Sequence, residues 1–339
     1  MMKVKYLFIN VDLAEMLVQY WKNDIGSIAA FRISSNAIYK FKYKGETRFL
    51  RFSPKTEKCR ENTLAELEFI NYLRSKRYDA LEVVNAKNGE DLIEAQTPWG
   101  VYYASVFKRV AGVPINKTDF SNYVLFSYGK ALGKLHQLAC DYKPIRNRRR
   151  SYSDVLNWID NTLSHFPNET AAKVETAMLK QYFKTIPLTK HNFGLVHYDF
   201  EYDNVFYDGP SESCQIIDFD DAMYHWYVMD IVQALDSLKE CMSSDNYQVK
   251  KKRFLEGYLT EYEISEDMMS IIPACKRFAN LYGYVRVLRS LDEQWNHEPQ
   301  WLMKLRKNLC KSMKINSSYF GTEIKQVGSI GIADQSIRL

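Results

Sequence analysis

Between residues 197 and 220 the chain reads His197-Tyr198-Asp199-Phe200-Glu201-Tyr202-Asp203-Asn204 and then Ile216-Ile217-Asp218-Phe219-Asp220, and this ordered set constrains the fold more than any other stretch. Each polar run is bounded by hydrophobic residues: Gly194-Leu195-Val196 before His197, Val205-Phe206-Tyr207 after Asn204, and Ile216-Ile217 before Asp218. That pattern predicts short buried strands with a polar loop between the first two. The loop carries Asp199, and pairing of the flanking strands brings Asn204 close to Asp218. An amide oxygen and a carboxylate are hard donors of the kind magnesium accepts while it keeps water and phosphate in its other positions. Asp199 is then left to orient a hydroxyl and accept its proton. Turn chemistry alone explains Asp203, Asp208 and Asp221. It does not explain an ordered His, Asp, Asn and Asp.

The spacing is the one that phosphoryl-transfer enzymes use to hold magnesium and ATP against a hydroxyl. The segment resembles the brace of the aminoglycoside phosphotransferase superfamily, which also holds choline, homoserine and methylthioribose kinases. Written loosely, H-G-D-x-x-x-x-N followed by hydrophobic-D-F-D matches His197 to Asn204 and Asp218 to Asp220, with Tyr198 in place of the usual glycine. The resemblance implies an α+β, bilobal protein-kinase-like fold. A small antiparallel-sheet lobe over residues 1–110 would bind nucleotide, and a mainly helical lobe over 111–339 would carry the catalytic loop and the acceptor site. It also implies Asp199 as base, His197 as a brace of its loop, and Asn204 and Asp218 on Mg2+. Asp220 either joins the metal shell or caps the following turn. The nucleotide is ATP, with GTP as the alternative.

The first hundred residues read as a mixed sheet with one or two helices. Asp12 suits an N-cap before a helix with Leu13, Met16, Leu17, Tyr20 and Trp21 on one face. Alternating segments Ala37 to Tyr43 and Thr47 to Phe52 form a hairpin around Lys44-Gly45-Glu46. A helix from about Glu61 to Ser75 follows, carrying Glu66 and Glu68. Arg51 on the second strand and Glu66 on the helix match the superfamily's phosphate-gripping pair, and a guanidinium suits that role because it binds phosphate and carboxylate together. Gly-x-Gly-x-x-Gly is absent, which weighs against a protein kinase. The short turn with Ser34 and Ser35 is the candidate to reach a phosphate. The apolar segment Tyr102 to Val110 ends as a connector, so Phe107, Lys108, Arg109 and Val110 are the stretch expected to meet adenine.

From Thr118-Asp119, either of which suits a cap, helical periodicity dominates. Gly129 and Gly133 admit a close helix neighbour, and His136 reads as a hydrogen-bonded core histidine. Further helices are expected over 153–162, 169–183, 228–238, 247–258, 266–291 with a break at Pro273, and 300–313. Asp230 matches an acidic position of the family helix and reads as structural. Beyond Asn316, Gly321, Gly328 and Gly331 suggest loops or a late strand.

Composition bounds the partners. With 46% hydrophobic and 26% charged residues the chain is not disordered. It shows neither a membrane-length apolar run nor a secretory leader, so a cytoplasmic place is expected. Six singly scattered cysteines offer no zinc or redox pair. A net charge of +5, from 46 basic and 41 acidic side chains, is too balanced to imply nucleic acid. The basic run Lys143 to Arg150 reads as a solvated loop, with contact to RNA or a phosphate-rich partner as its alternative. The interval between Asp218 and Asp230 leaves no room for a long activation segment, which favours a small-molecule hydroxyl acceptor. Aminoglycoside, choline-like amine and homoserine-like acceptors stay open. Glu201, Asp203 and Asp221 with Tyr202, Tyr224, Trp226 and Tyr227 would suit a cation, or are ordinary packing. A protein Ser/Thr kinase and a non-catalytic nucleotide-binding interaction module are the alternatives.

Overall fold

The computed structural model describes residues 1–324, apart from the side chains of Asp245 and Glu266. Its first part comprises helix α1 (Val11–Val18), strands β1 (Ala29–Ile33), β2 (Ala37–Tyr43) and β3 (Glu46–Pro54), helix α2 (Arg60–Ser75), and strands β4 (Val83–Val84), β5 (Ile93–Thr97) and β6 (Gly100–Lys108). The sheet is antiparallel in the order β1-β2-β3-β6-β4, with β5 also on β6. Lys44 (φ 53°) and Gly45 (φ 82°) make the β2–β3 turn, whose left-handed residues follow the natural twist of a hairpin. One face packs Tyr39, Phe41, Leu50 and Val106 against Leu13, Leu17 and Trp21. Met16 and Tyr20, expected on that buried face, are exposed, and Ala14 and Val18 take their place. The cap of α1 is Asn10, whose side chain accepts from the Leu13 amide, rather than Asp12, which sits in the first turn.

After the sheet come β7 (Val113–Pro114), α3 (Asn122–Asp141), α4 (Tyr152–Leu163), α5 (Thr170–Lys184), β8 (Phe193–Val196), β9 (Val205–Asp208), β10 (Ser213–Ile216), β11 (Met223–Trp226), α6 (Val228–Glu240), α7 (Ser244–Leu259), α8 (Glu266–Ser270), α9 (Ile272–Leu291) and α10 (Gln300–Asn316). The helix expected over 266–291 breaks at Ile271, and Pro273 sits in the first turn of α9, where it has no donor to lose. Ser121, not Thr118 or Asp119, precedes α3. Helices α3 and α7 cross so closely that a Cβ on Gly129 would stand 1.8 Å from the Phe254 carbonyl oxygen. One core, running from Phe69 and Leu73 of α2 through Leu132 and Leu135 of α3 to Phe278 of α9, joins the two parts. This is an α+β, bilobal protein-kinase-like fold. Gly321 lies in a turn, and the late strand expected near Gly328 and Gly331 falls outside the described residues. Among the described residues no helix is long and apolar enough to cross a membrane.

Candidate active site

Strand β8 delivers His197 into a wholly buried position, and the chain then turns through Tyr198 at φ 68°. A non-glycine residue there costs about 1–2 kcal/mol. The ring repays its own strain by packing against Phe278 and Tyr282, at 6.1 and 5.7 Å between centroids. Asp230, in the first turn of α6, fixes the backbone of the bend, accepting from the amides of His197 (2.8 Å) and Tyr198 (2.6 Å). The helix N-terminus favours its negative charge. Asp230 also accepts from Nε2 of His136 at 3.2 Å, while Nδ1 of His136 meets the Tyr258 hydroxyl at 2.9 Å. His136 is therefore a bonded core histidine that supports the loop from behind.

His197 donates from Nε2 to the Ile217 carbonyl at 2.9 Å, and its Nδ1 accepts from the Asp199 amide at 3.2 Å. Burial holds its pKa below the usual value, so the neutral ring is the stable form. One imidazole thus links the Asp199 loop to the strand end that carries Asp218. Strands β9 and β10 form a hairpin in which Val205 faces Ile216, and the Ile217 amide donates to the Asn204 carbonyl at 3.0 Å. Asn204 and Asp218 consequently sit together at its open end. Both protons of the Asn204 amide go to Asp199, at 3.0 Å to the carbonyl and 2.8 Å to Oδ2, which leaves Asn204 Oδ1 as a free acceptor.

Asp218 adopts φ 64° and lies among carboxylates. Burial and then Asp220 push its carboxyl up to about 6, against the pull of Arg51. Asp199 is pushed well above the ordinary range by burial, with Glu201 and Asp218 adding to it. Negative charge crowded into a low-dielectric site is relieved by a cation. Asn204 Oδ1 and Asp218 are hard oxygen donors, and among the described residues no group of three or more His, Cys, Asp or Glu forms an all-protein cage. Two such donors fit magnesium, which takes its other positions from phosphate and water.

A cavity of about 550 Å³ opens between the sheet and the β9–β10 hairpin. Ile38, Phe49, Leu81 and Phe107 line its upper side, and Phe206 and Ile217 its lower side. Lys108, Arg109 and Val110 form its back edge, and Arg51, Asn204 and Asp218 also line it. A flat apolar slot with polar groups converging on one part suits a purine nucleotide. Gly112 (φ 79°) permits the chain to leave this edge, because a Cβ there would stand 2.2 Å from the Tyr207 carbonyl oxygen. Arg51 and Glu66 make a buried bidentate pair at 2.7 and 2.9 Å, with the guanidinium 4.8 Å from the Phe107 ring. The order strand, helix, hairpin expected from sequence therefore brings Arg51, Glu66, Asn204, Asp218 and Asp199 into one neighbourhood.

Three expected residues go elsewhere. Asp220 turns away from that cavity and bonds Lys58 Nζ and Asn36 Nδ2. Burial alone would raise its pKa, but Lys58 and Arg51 outweigh it and hold the carboxyl below the ordinary range. Ser35 accepts from Arg286 at 3.1 Å and faces a second cavity, while the Ser34 backbone is held by the amide of Met2 and the carbonyl of Asn36. Of that hairpin, Phe31, Arg32 and Ile38 line the first cavity instead. The aromatic group considered for a cation is dispersed: Trp226 and Tyr227 are buried in the helical core, and Tyr224 carries Arg148 at 4.6 Å.

The basic run is a loop with Lys143, Arg146 and Arg148 exposed, as expected, but its end at Arg149 and Arg150 turns inward. Arg149 is buried and donates to the carbonyls of Ala222 (2.7 Å), Asn62 (2.7 Å) and Asp220 (2.6 Å), stitching the start of α2 to the turn after Asp218. Glu68 anchors the beginning of the run through the amides of Ile145 (2.5 Å) and Arg146 (3.2 Å). Lys58, Asn36 and Arg149 thus hold the turn after Asp218 in place, which local spacing does not announce.

A family model described as "Phosphotransferase enzyme family" matches residues 28–271. Amicoumacin kinase of Bacillus subtilis (strain 168) is 21% identical over 291 residues, which is 81% of this chain and 84% of that protein. Among solved structures, the amicoumacin kinase hAmiN in complex with AMP-PNP, Ca2+ and Ami superposes with a TM-score of 0.76 at 18% identity, covering 96% of this chain and 99% of that one. A spectinomycin phosphotransferase, APH(9)-Ia, in complex with ADP and spectinomycin gives 0.60 at 14% identity, over 92% and 98% of the two chains.

Proposed function

Because the chain belongs to the phosphotransferase enzyme family, we propose that it moves the γ-phosphoryl group of ATP, with magnesium, onto a hydroxyl of a small molecule. The observation that carries this reading is the hydrogen bond of 2.8 Å from Asn204 to Asp199 at the open end of the hairpin that also presents Asp218. It sets a proton acceptor beside a pair of hard oxygen donors. The AMP-PNP, ADP and Ca2+ named with the two solved relatives support nucleotide and a divalent ion in such a site.

Residues 1–110 serve as the nucleotide lobe and 111–339 as the acceptor lobe. Adenine lies in the apolar slot against Phe107 to Val110, and Arg51 meets the phosphates while Glu66 holds its guanidinium in place. Asn204 Oδ1 and Asp218 would hold magnesium, which when bound neutralises phosphate charge as the bond to the leaving group loosens. Asp199 orients the acceptor hydroxyl and takes its proton, its carboxylate fixed by Asn204. A raised pKa makes Asp199 a better proton acceptor, and cationic ligands in the neighbouring site would keep it ionised. His197 stays neutral and holds the loop. Positioning and fixed charge supply most of the rate.

The names of the relatives put amicoumacin and spectinomycin on the acceptor panel, beside amino sugars and amino alcohols. Transfer of labelled phosphate from ATP with Mg2+ to one of these, absent in Asp218→Ala, is the expected result. Nucleotide binding without transfer to any of them would favour a binding module instead.

A further inference from the structure

The turn from Asp218 to Asp221 separates two cavities: Asp218 lines the nucleotide slot, and Asp220 and Asp221 line a second space of about 490 Å³. Its walls come from the start of α2, from α4 and from α9. Its wall reaches the catalytic loop through Tyr282, whose ring packs 5.7 Å from that of Tyr198, the neighbour of Asp199.

The charges of this wall do not balance. Lys58 is matched by Asp220, and Arg289 by Glu57 at 2.6 Å. Asp154 is committed to the α4 cap, accepting from the amide and hydroxyl of Ser151 at 2.7 and 2.8 Å. Asp221 alone remains for Arg286 (2.6 Å) and Arg150 (3.2 Å), while Arg149 meets only carbonyl oxygens. Across the wall five cationic side chains, one lysine and four arginines, face four carboxylates, and Arg150 Nε is buried with no partner. Positive charge held partly out of water in this way is costly unless an anion joins it. The two guanidiniums are also held ready. Both lie over the Tyr282 ring, at 5.3 and 5.0 Å, and the Tyr282 hydroxyl accepts from Arg150 at 2.6 Å. Planar forks fixed in this way match carboxylate or phosphate oxygens.

We infer that this cavity seats an anionic group of the acceptor, a carboxylate or phosphate on the molecule that carries the reacting hydroxyl, between Arg150 and Arg286 with Tyr282 beside them. The inference rests on the reading of Asp199 as the base. It makes a polycationic amino sugar a poor acceptor, since the wall would repel it.

Two arms test this separately. In the first, inorganic phosphate is titrated calorimetrically into the full chain with the nucleotide slot filled by AMP-PNP and Mg2+, so no turnover is required. Binding weakens on the order of ten- to a hundredfold in Arg150→Gln and in Arg286→Gln. It is unchanged in Arg148→Gln, whose side chain lies on Tyr224. Asp221→Asn removes the shared carboxylate and tightens phosphate binding, an outcome that misfolding would not produce. Phosphate binding indifferent to both arginines, or weakened in Asp221→Asn, overturns the proposal. The second arm compares phosphoryl transfer to 3-aminopropan-1-ol and to homoserine, which differ by one carboxylate. Preference for homoserine that vanishes in Arg150→Gln identifies the carboxylate as the anion, and preference for the amine overturns the proposal. Arg150-dependent phosphate binding with no transfer to any acceptor would keep the anion site and remove the phosphotransferase reading.

Discussion

Replacing Glu66 by Gln should destabilise the fold and impair transfer, and the two effects should come apart when Arg51 is replaced as well. Arg51 and Glu66 share two bonds of 2.7 and 2.9 Å, with Glu66 fully buried and Arg51 nearly so. Unit charges about 4 Å apart attract by about 4 kcal/mol at an effective dielectric of 20. Removing one partner of a buried pair costs about 3–5 kcal/mol because the other charge is stranded. Asp218 and Asp220 remain close enough to act on Arg51 and recover part of that loss, so about 2–4 kcal/mol is expected for Glu66→Gln. Urea denaturation without nucleotide measures it. The double variant Arg51→Met/Glu66→Leu removes both charges and should regain most of the stability, since apolar replacement of a buried pair is often neutral. Phosphate transfer should stay lost in the double variant, because nothing then meets the phosphates. A Glu66→Gln loss below about 1 kcal/mol would show that the pair is not a buried, mutually dependent one, and activity returning with stability in the double variant would show that Arg51 does not meet the phosphates.

Tyr198→Gly relieves left-handed strain of about 1–2 kcal/mol but deletes a buried ring worth about 3–5 kcal/mol, so a net loss of about 1–4 kcal/mol is expected in denaturant; a more stable variant would show that the ring contributes nothing. Asp218→Asn tests linkage. A carboxyl raised in the fold to about 6 contributes stability below its unfolded value of 3.8 and loses that contribution as pH rises through 6. With metal chelated, wild type should therefore fall behind Asp218→Asn as pH rises, by about 2–3 kcal/mol above pH 7, and the gap should close near pH 4. A pH-independent difference would contradict the raised value. Gly129→Ala would drive a methyl to within 1.8 Å of the Phe254 carbonyl oxygen and should cost about 2 kcal/mol or more despite alanine's better helix propensity, as read by thermal or urea unfolding.

The parts legible in the sequence are those where neighbours in the chain are neighbours in space. His197, Asp199, Asn204 and Asp218 lie in the loops that join or follow three successive short strands, so hydrophobic flanks announced both the strands and their meeting. The Lys44–Gly45 hairpin and the Arg51–Glu66 pair followed from local pattern and element order. The residues missed reach the site across the fold. Lys58 and Asn36 meet Asp220 over separations of 162 and 184 residues, and Arg149 meets the Asp220 carbonyl over 71. No periodicity encodes such a contact. Arg149 and Arg150 sat in a run that composition reads as solvated surface, whereas the turn after Asp218 supplies carbonyls and Asp221 to receive them. Asp12 and Thr118-Asp119 failed as caps because Asn10 and Ser121 stand at the true helix starts. Chemically equivalent residues a few positions apart are not separated by propensity.

The proposed division of labour gives Asp199 the hydroxyl and Asn204 with Asp218 the metal. The measurement is single-turnover phosphate transfer to the best acceptor, with Mg–ATP affinity determined by calorimetry, for wild type, Asp199→Asn and Asp218→Ala. Asp199→Asn is expected to lose transfer by on the order of a hundredfold or more while keeping Mg–ATP affinity, and Asp218→Ala to lose both. Transfer undiminished in Asp199→Asn, or Mg–ATP affinity undiminished in Asp218→Ala, would contradict it.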